Sequence, residues 1–148
     1  MKKDISTREF CTSDIEEMAE LTVQLGYKTN ADEMANRMSA MKNNSDYKTI
    51  VAVADGKVIG YIGMIKLNYW EKNGCYIKIQ ALVVSNTARK SGAGRLLIKS
   101  AEKWGAENKA DLLALTCGNK KEREEAHKFY PKMGFVWNAR GYVKVVVY

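Results

Sequence analysis

Residues 79–94 decide how the rest of the chain is interpreted, and they read Ile79-Gln80-Ala81-Leu82-Val83-Val84-Ser85-Asn86-Thr87-Ala88-Arg89-Lys90-Ser91-Gly92-Ala93-Gly94. The pattern from Tyr76 to Val84 predicts a strand whose apolar end is buried on both faces. Beyond the glycines, Leu97, Ala101 and Trp104 recur at the spacing of one helix face. The chain therefore passes from a buried strand, through a glycine loop, into a helix.

The glycine loop has the composition of an anion site. The first amides of a helix lack partners within the helix and bind anions readily. Gly92 and Gly94 lack the β-carbons that would hold a diphosphate away from the backbone, and Arg89 and Lys90 add positive charge. Arg95 follows where a P-loop needs lysine, and the third glycine of a dinucleotide fingerprint is missing. The sequence predicts a phosphate loop of another kind, and it leaves open a helix start that simply needs flexible residues.

Hydrophobic periodicity predicts the surrounding elements. Helical spacing covers 12–25, 30–41 and 120–133, and β patterns cover 48–54, 58–67, 111–116, 134–137 and 142–148. This order predicts an α/β domain with a mixed sheet. The 148 residues contain no stretch with linker composition, so we expect a single domain over 1–148.

Composition narrows the classes of partner and compartment. The net charge is +7, and basic residues concentrate around the glycine loop, which favours a phosphorylated partner. Basic and aromatic residues are not interleaved as in nucleic-acid modules, so we expect no nucleic-acid partner. Three unpaired cysteines and one histidine argue against a metal site. The chain also lacks a signal-like start and a bilayer-length apolar run, which predicts a cytoplasmic protein that does not bind membranes.

The segment Arg89-Lys90-Ser91-Gly92-Ala93-Gly94 resembles the R/Q-x-x-G-x-G/A motif of the GNAT acetyltransferases. The preceding strand resembles the family's fourth strand, and the resemblance continues through Asn119, Ala126, Phe129-Tyr130 and Lys132-Met133-Gly134-Phe135. It covers most of the chain. It implies a mixed, mostly antiparallel sheet of six to seven strands flanked by about four helices, with splayed fourth and fifth strands.

The resemblance also implies a function and a set of site residues. The expected reaction is transfer of an acetyl group from acetyl-CoA to a primary amine, by direct attack in a ternary complex. The implied contacts to acetyl-CoA are Leu82, Val83 and Val84 for the pantetheine arm, Arg89, Lys90, Ser91, Gly92, Ala93 and Gly94 for the diphosphate, and Asn119 at the mouth. Tyr130 resembles the general acid that protonates the departing thiolate, because a phenol keeps its proton at neutral pH.

One position departs from the family pattern. Many relatives carry a glutamate where this chain has Gln80, and an amide does not accept a proton in that way. The candidates for the base are a water held by Gln80 or Asn119, or a carboxylate from Glu16, Glu33 or Glu71. The same departure motivates an alternative, a catalytically silent protein that binds acyl-CoA.

The acceptor side is less defined. Tyr27, Tyr69 and Trp70 are candidates to line a pocket for the amine, whose identity the sequence leaves open, as it does the length of the acyl group. The apolar run from Val143 to Val147 predicts a strand that needs covering, for which a homodimer partner is the candidate.

Overall fold

A computed structural model describes residues 4–117, 123–139 and 141–148. The elements in chain order are β1 (Ile5–Glu9), α1 (Ile15–Leu25), α2 (Ala31–Lys42), β2 (Tyr47–Ala54), β3 (Lys57–Asn68), β4 (Cys75–Val84), α3 (Ala93–Glu107), β5 (Leu113–Leu115) and α4 (Glu124–Lys132). The chain separates into two compact units, one up to Leu115 and one from Thr116 onward. The prediction of a single domain over 1–148 stays a prediction.

The first unit contains a five-stranded sheet in the order β1-β2-β3-β4-β5. Neighbours from β1 to β4 are antiparallel, and β4 and β5 are parallel. The predicted fold class, a mixed and mostly antiparallel sheet with four helices, is therefore confirmed. In the described ranges, no helix is both long enough and apolar enough to cross a membrane.

The described residues form five strands, slightly fewer than the six to seven that were expected. The expected strands at 134–137 and 142–148 are absent there, because Gly134 belongs to a turn and residues 135–139 and 141–148 have no regular structure. A strand forms only where a neighbour pairs with its amides and carbonyls. Val143 and Tyr148, which carry the apolar pattern, are instead 94% and 112% exposed.

Strand β1 was not predicted from the sequence. Its five residues, Ile-Ser-Thr-Arg-Glu, do not alternate between apolar and polar. It lies at the edge of the sheet, where one neighbour, β2, provides pairing and where charged side chains are common.

Helices cover both faces of the sheet. Tyr61 of β3 packs in a buried cluster with Met18 of α1 and Met38 of α2. A side chain at the adjacent Gly60 would instead lie 3.3 Å from Leu97 of α3. Because successive residues of a strand point to opposite faces, α1 and α2 cover one face and α3 covers the other.

Candidate active site

A β-bulge changes the direction in which the backbone amides of β4 point. Gly63 of β3 pairs with Ala81, and the next residue, Met64, pairs with Ile79, so Gln80 is left without a partner opposite it. The extra residue breaks the alternation that normally directs backbone amides to one neighbouring strand and then the other. Gln80 is exposed at this point.

The hydrogen bonds on either side of the bulge show the change of direction. The Ile77 amide donates to the Leu112 carbonyl beside β5 (3.0 Å), whereas the Ser85 amide donates to the Ile59 carbonyl beside β3 (2.7 Å). In a regular strand, residues separated by an even number of positions face the same neighbour. The amides of Leu82 and Val84 therefore face away from β3.

Those two amides lie beyond the end of the β4–β5 ladder. The ladder contains three pairs, from Ile77–Leu113 to Ile79–Leu115. Within the described part of the first unit, no strand pairs with β4 on that side after Ile79. The end of β4 is thus an open row of backbone donors and acceptors. An extended amide-containing chain can pair with such an edge.

The glycine loop turns the chain from β4 into α3. A single 3-10 turn, Asn86–Ala88, follows Ser85, and the Asn86 amide donates to Gln24 Oε1 of α1 at 2.8 Å. Lys90 (φ 63°) and Gly92 (φ 94°) both have left-handed backbone conformations, on either side of Ser91. Alternation of this kind turns successive amides into a concave, anion-binding arrangement.

The N-terminus of α3 presents free amides. Ala93 N donates to Ser91 Oγ at 3.3 Å, and Leu96 N donates to the Gly92 carbonyl at 3.1 Å. The amides of Gly92, Gly94 and Arg95 have no acceptor among the described residues. They lie at the positive end of a helix of 15 residues, where an anion is stabilised.

The space in front of these amides is open and positively charged. A β-carbon at Gly92 would have no atom within 4 Å. Arg89, Lys90 and Arg95 are exposed, and among the described residues no carboxylate pairs with them. The loop can therefore hold a diphosphate. Of the residues expected to bind acetyl-CoA, the structure brings together 82–84 and 89–94, whereas Asn119 lies outside the described residues.

Tyr130 belongs to the second unit and lies in the last turn of α4. Its ring packs edge-on against Phe129 and Phe135, with centroids 5.6 and 5.8 Å away. Gly134 (φ 92°) ends the helix, because the Phe135 amide donates to the Tyr130 carbonyl and the Gly134 amide donates to the Pro131 carbonyl, both at 3.1 Å. This hydrogen-bond pair and its apolar contact form a Schellman motif, which fixes Tyr130 at the helix end.

Burial raises the pKa of Tyr130 to about 12, with a smaller contribution from Cys117 and an opposing one from Arg123. The phenol therefore keeps its proton throughout the neutral range. A thiolate is a weaker base than this phenolate, so the proton is transferred only while the two groups are in contact and negative charge develops on the sulfur.

A pocket beside Gln80 was not predicted from the sequence. It has a volume of about 110 Å³ and lies between the α1–α2 layer and the sheet. Its walls include Met18, Met38, Met64 and Tyr61, together with Gln80 itself. Helical spacing predicted α1 and α2, but it gave no sign that their apolar faces leave a space over the bulge.

The residues expected on the acceptor side do not line this pocket. Tyr27 is 56% exposed and Trp70 is fully exposed, while Tyr69 stacks on Tyr76 with centroids 5.1 Å apart. The candidate bases Glu16, Glu33 and Glu71 are exposed, and the described residues around the pocket include none of them.

Comparison with known proteins agrees with this geometry. The model of the acetyltransferase (GNAT) family matches residues 15–135. A solved GNAT family acetyltransferase from Staphylococcus aureus is 31% identical, with a TM-score of 0.81, over 96% of this chain and 98% of that chain. The chain therefore belongs to the GNAT acetyltransferase family.

More distant structures share the fold. Glucosamine-6-phosphate N-acetyltransferase from Arabidopsis thaliana is 18% identical, with a TM-score of 0.82, over 97% of this chain and 99% of that chain. An aminoglycoside N-acetyltransferase solved in complex with CoA is also 18% identical, with a TM-score of 0.84, over 97% and 95% of the two chains. At this identity the similarity concerns the fold alone.

Proposed function

We propose that this protein is an N-acetyltransferase that transfers the acetyl group of acetyl-CoA to a primary amine. The observation that carries the proposal is the continuity between the open end of β4 and the free amides of the glycine loop. The pantetheine arm of acetyl-CoA contains two amide groups and ends in a diphosphate. The first feature suits the backbone of Leu82 and Val84, and the second suits the amides of Gly92, Gly94 and Arg95.

The proposed reaction is a direct attack in a ternary complex. The neutral amine nitrogen forms a bond to the thioester carbonyl carbon, and the carbonyl oxygen gains negative charge that a free backbone amide at the open end of β4 stabilises. The C–S bond then breaks, the thiolate takes up a proton, and the nitrogen loses one to a water molecule. Tyr130 is the proposed donor to the thiolate, and its raised pKa supports this role because the phenol stays protonated until the thiolate forms.

Tyr130→Phe tests this assignment. The variant keeps the ring contacts with Phe129 and Phe135, so we expect it to fold normally. Loss of a general acid lowers turnover by roughly 10²-fold or more, whereas affinity for acetyl-CoA measured by calorimetry should not change. Phe129→Leu, which leaves the phenol in place, is the matched control. Full turnover of Tyr130→Phe at saturating substrates would remove Tyr130 from the mechanism.

Gln80 supports a second candidate, a catalytically silent protein that binds acyl-CoA. Its amide does not take up the proton of the attacking amine, and none of the described residues lining the adjacent pocket is a carboxylate. Thiol release from acetyl-CoA, measured with a panel of primary amines, separates the two functions. Tight binding of acetyl-CoA without thiol release for any amine would select the silent protein.

We also propose a homodimer in the cytoplasm. The exposed apolar side chains of 142–148, among them Val145 and Val147, support an interface with a second copy. The thiols of Cys11, Cys75 and Cys117 are free, which suits a reducing compartment. Sedimentation velocity tests the assembly, and a single monomeric species at micromolar concentration would exclude this interface.

A further inference from the structure

We propose that the acceptor is an amine next to one apolar group, and that polycationic amines are poor substrates. This inference rests on the proposed function, since it concerns the amine that would attack beside Gln80. The observations that carry it are the lining, the size and the charge of the pocket over the β4 bulge.

The lining of the pocket is uncharged and rich in thioethers. Five methionines contribute to it, namely Met18, Met34, Met38, Met41 and Met64. None of the described residues around the pocket carries a charge. Methionine side chains are apolar and adaptable, so they pack around alkyl groups of different shapes. An ammonium group inside this lining would lose its hydration without gaining a carboxylate.

One polar group of the wall, the Tyr61 hydroxyl, is already hydrogen-bonded to Thr22 of α1. The Thr22 hydroxyl donates to the Met18 carbonyl at 2.8 Å, and its oxygen lies 2.6 Å from the Tyr61 hydroxyl, which then donates to it. Burial raises the pKa of Tyr61, so its phenol stays neutral and adds no negative charge. This wall therefore offers a second ammonium group no anionic partner.

The size of the pocket limits the apolar group. A dry apolar cavity of about 150 Å³ is known to accept benzene, and this pocket measures about 110 Å³. A linear or branched chain of roughly four carbons is the largest group that fits by the same comparison. Such a chain would place its amine at the mouth, where Gln80 marks the open part of β4.

The adjoining surface is also unsuited to polycations. A second pocket of about 280 Å³ shares Met38, Met41, Tyr47 and Thr49 with the first. The charged residues in its lining are Glu9, Lys42 and Lys48. Glu9 pairs with Lys48 at 3.2 Å, so the remaining charge is the positive Lys42. A substrate ammonium group meets repulsion here, in a protein with a net charge of +7.

The test compares three amines as substrates of the wild-type protein. Norleucinamide and lysinamide share a side chain of four carbons, to which lysinamide adds a terminal ammonium group, and glycinamide has no side chain. Thiol release from saturating acetyl-CoA gives kcat/KM for each. Burial of the alkyl chain predicts that norleucinamide exceeds each of the other two by roughly tenfold to hundredfold.

A pair of variants tests whether this pocket causes the preference for norleucinamide over lysinamide. Met41 is half-buried and lines both pockets, so a polar side chain of similar length fits there. Met41→Glu should raise kcat/KM for lysinamide relative to norleucinamide at least roughly tenfold, because the new carboxylate would form an ion pair with the lysinamide ammonium group at a half-buried position. Met41→Gln, which has the same size without the charge, should not change this ratio.

The outcomes separate the inference from the proposed function. Equal kcat/KM for norleucinamide and lysinamide, or a preference for lysinamide, would overturn the inference. Thiol release with these amines would still support the proposed acetyltransferase function. A failure of Met41→Glu to change the ratio would also overturn it. Binding of acetyl-CoA without thiol release for any of the three amines would overturn the inference and favour the silent protein. Absence of both binding and thiol release would remove the proposed function as well.

Discussion

The most informative perturbation is a single methyl group at Gly92. This residue has φ 94°, and a β-carbon there would meet no protein atom within 4 Å. The alanine variant should therefore lose stability only through its left-handed backbone, by roughly 1–2 kcal/mol. The added methyl group would project into the open space that the diphosphate occupies in our proposal.

The expected loss of affinity for acetyl-CoA follows from the hydrogen bonds that the methyl group would disrupt. The amides of Gly92, Gly94 and Arg95 are free to bind an anion. A hydrogen bond to a charged group contributes about 1.5–3 kcal/mol. If the methyl group displaces the diphosphate from one amide, Kd for acetyl-CoA should rise by roughly 10-fold to 150-fold.

Gly56→Ala is the matched control for this experiment. Gly56 also has a left-handed conformation (φ 74°) with no atom within 4 Å of a β-carbon, but it lies in the β2–β3 turn. Both variants should show similar losses in thermal stability, and calorimetry with acetyl-CoA should show a loss of affinity for Gly92→Ala alone. Normal affinity of the folded Gly92→Ala variant, or an equal loss for Gly56→Ala, would refute the reasoning.

Three further predictions follow from contacts around the site. Gln24→Ala removes the 2.8 Å hydrogen bond to the Asn86 amide, so the KM for acetyl-CoA should rise roughly fivefold with kcat unchanged, and Gln24→Glu should restore it. Hydrogen bonds from Arg8 hold the pKa of Asp14 below its usual 3.8, so their stabilisation is present above that pH and disappears as the pH falls through the lowered pKa. Arg8→Ala should therefore lower the free energy of unfolding at neutral pH, and only slightly because the Arg8 side chain is 45% exposed, and chemical denaturation near pH 2 should show a smaller difference. Because the pKa of Tyr130 is raised to about 12, turnover should show no alkaline loss up to about pH 10, and a decline with the ordinary tyrosine pKa would contradict the raised pKa.

The strand, glycine loop and helix from 76 to 106 could be predicted from the sequence because local rules decide them. Strand β4 ends at Val84, and α3 begins at Ala93. Gly92 has the left-handed backbone that glycine permits. A signal contained in about thirty neighbouring residues needs no knowledge of the rest of the fold.

Features that depend on distant partners could not be predicted in the same way. The bulge at Gln80 exists because Gly63 and Met64 pair with Ala81 and Ile79, and a strand pattern does not specify its register to one residue. For the same reason the pocket over the bulge was missed. The sequence predicted the two helices that carry four of its methionines, but the space between these helices and the sheet depends on how the two layers pack together.

The C-terminal strands illustrate the opposite error. The run from Val143 to Val147 has strong β propensity, yet these residues have no regular structure and are exposed. Propensity favours a strand only when a neighbouring strand supplies the hydrogen bonds. The sequence pattern identifies a segment suited to pairing, but it does not supply the partner.

The central claim is that the backbone amides at the start of α3 hold the diphosphate of acetyl-CoA. Calorimetry with acetyl-CoA and with acetyl-pantetheine, which has the same arm and thioester but lacks the diphosphate, tests this claim directly. We expect acetyl-CoA to bind one molecule per chain and acetyl-pantetheine to bind at least roughly 10²-fold more weakly. Equal affinity for the two compounds, or no binding of acetyl-CoA to folded protein, would contradict the account.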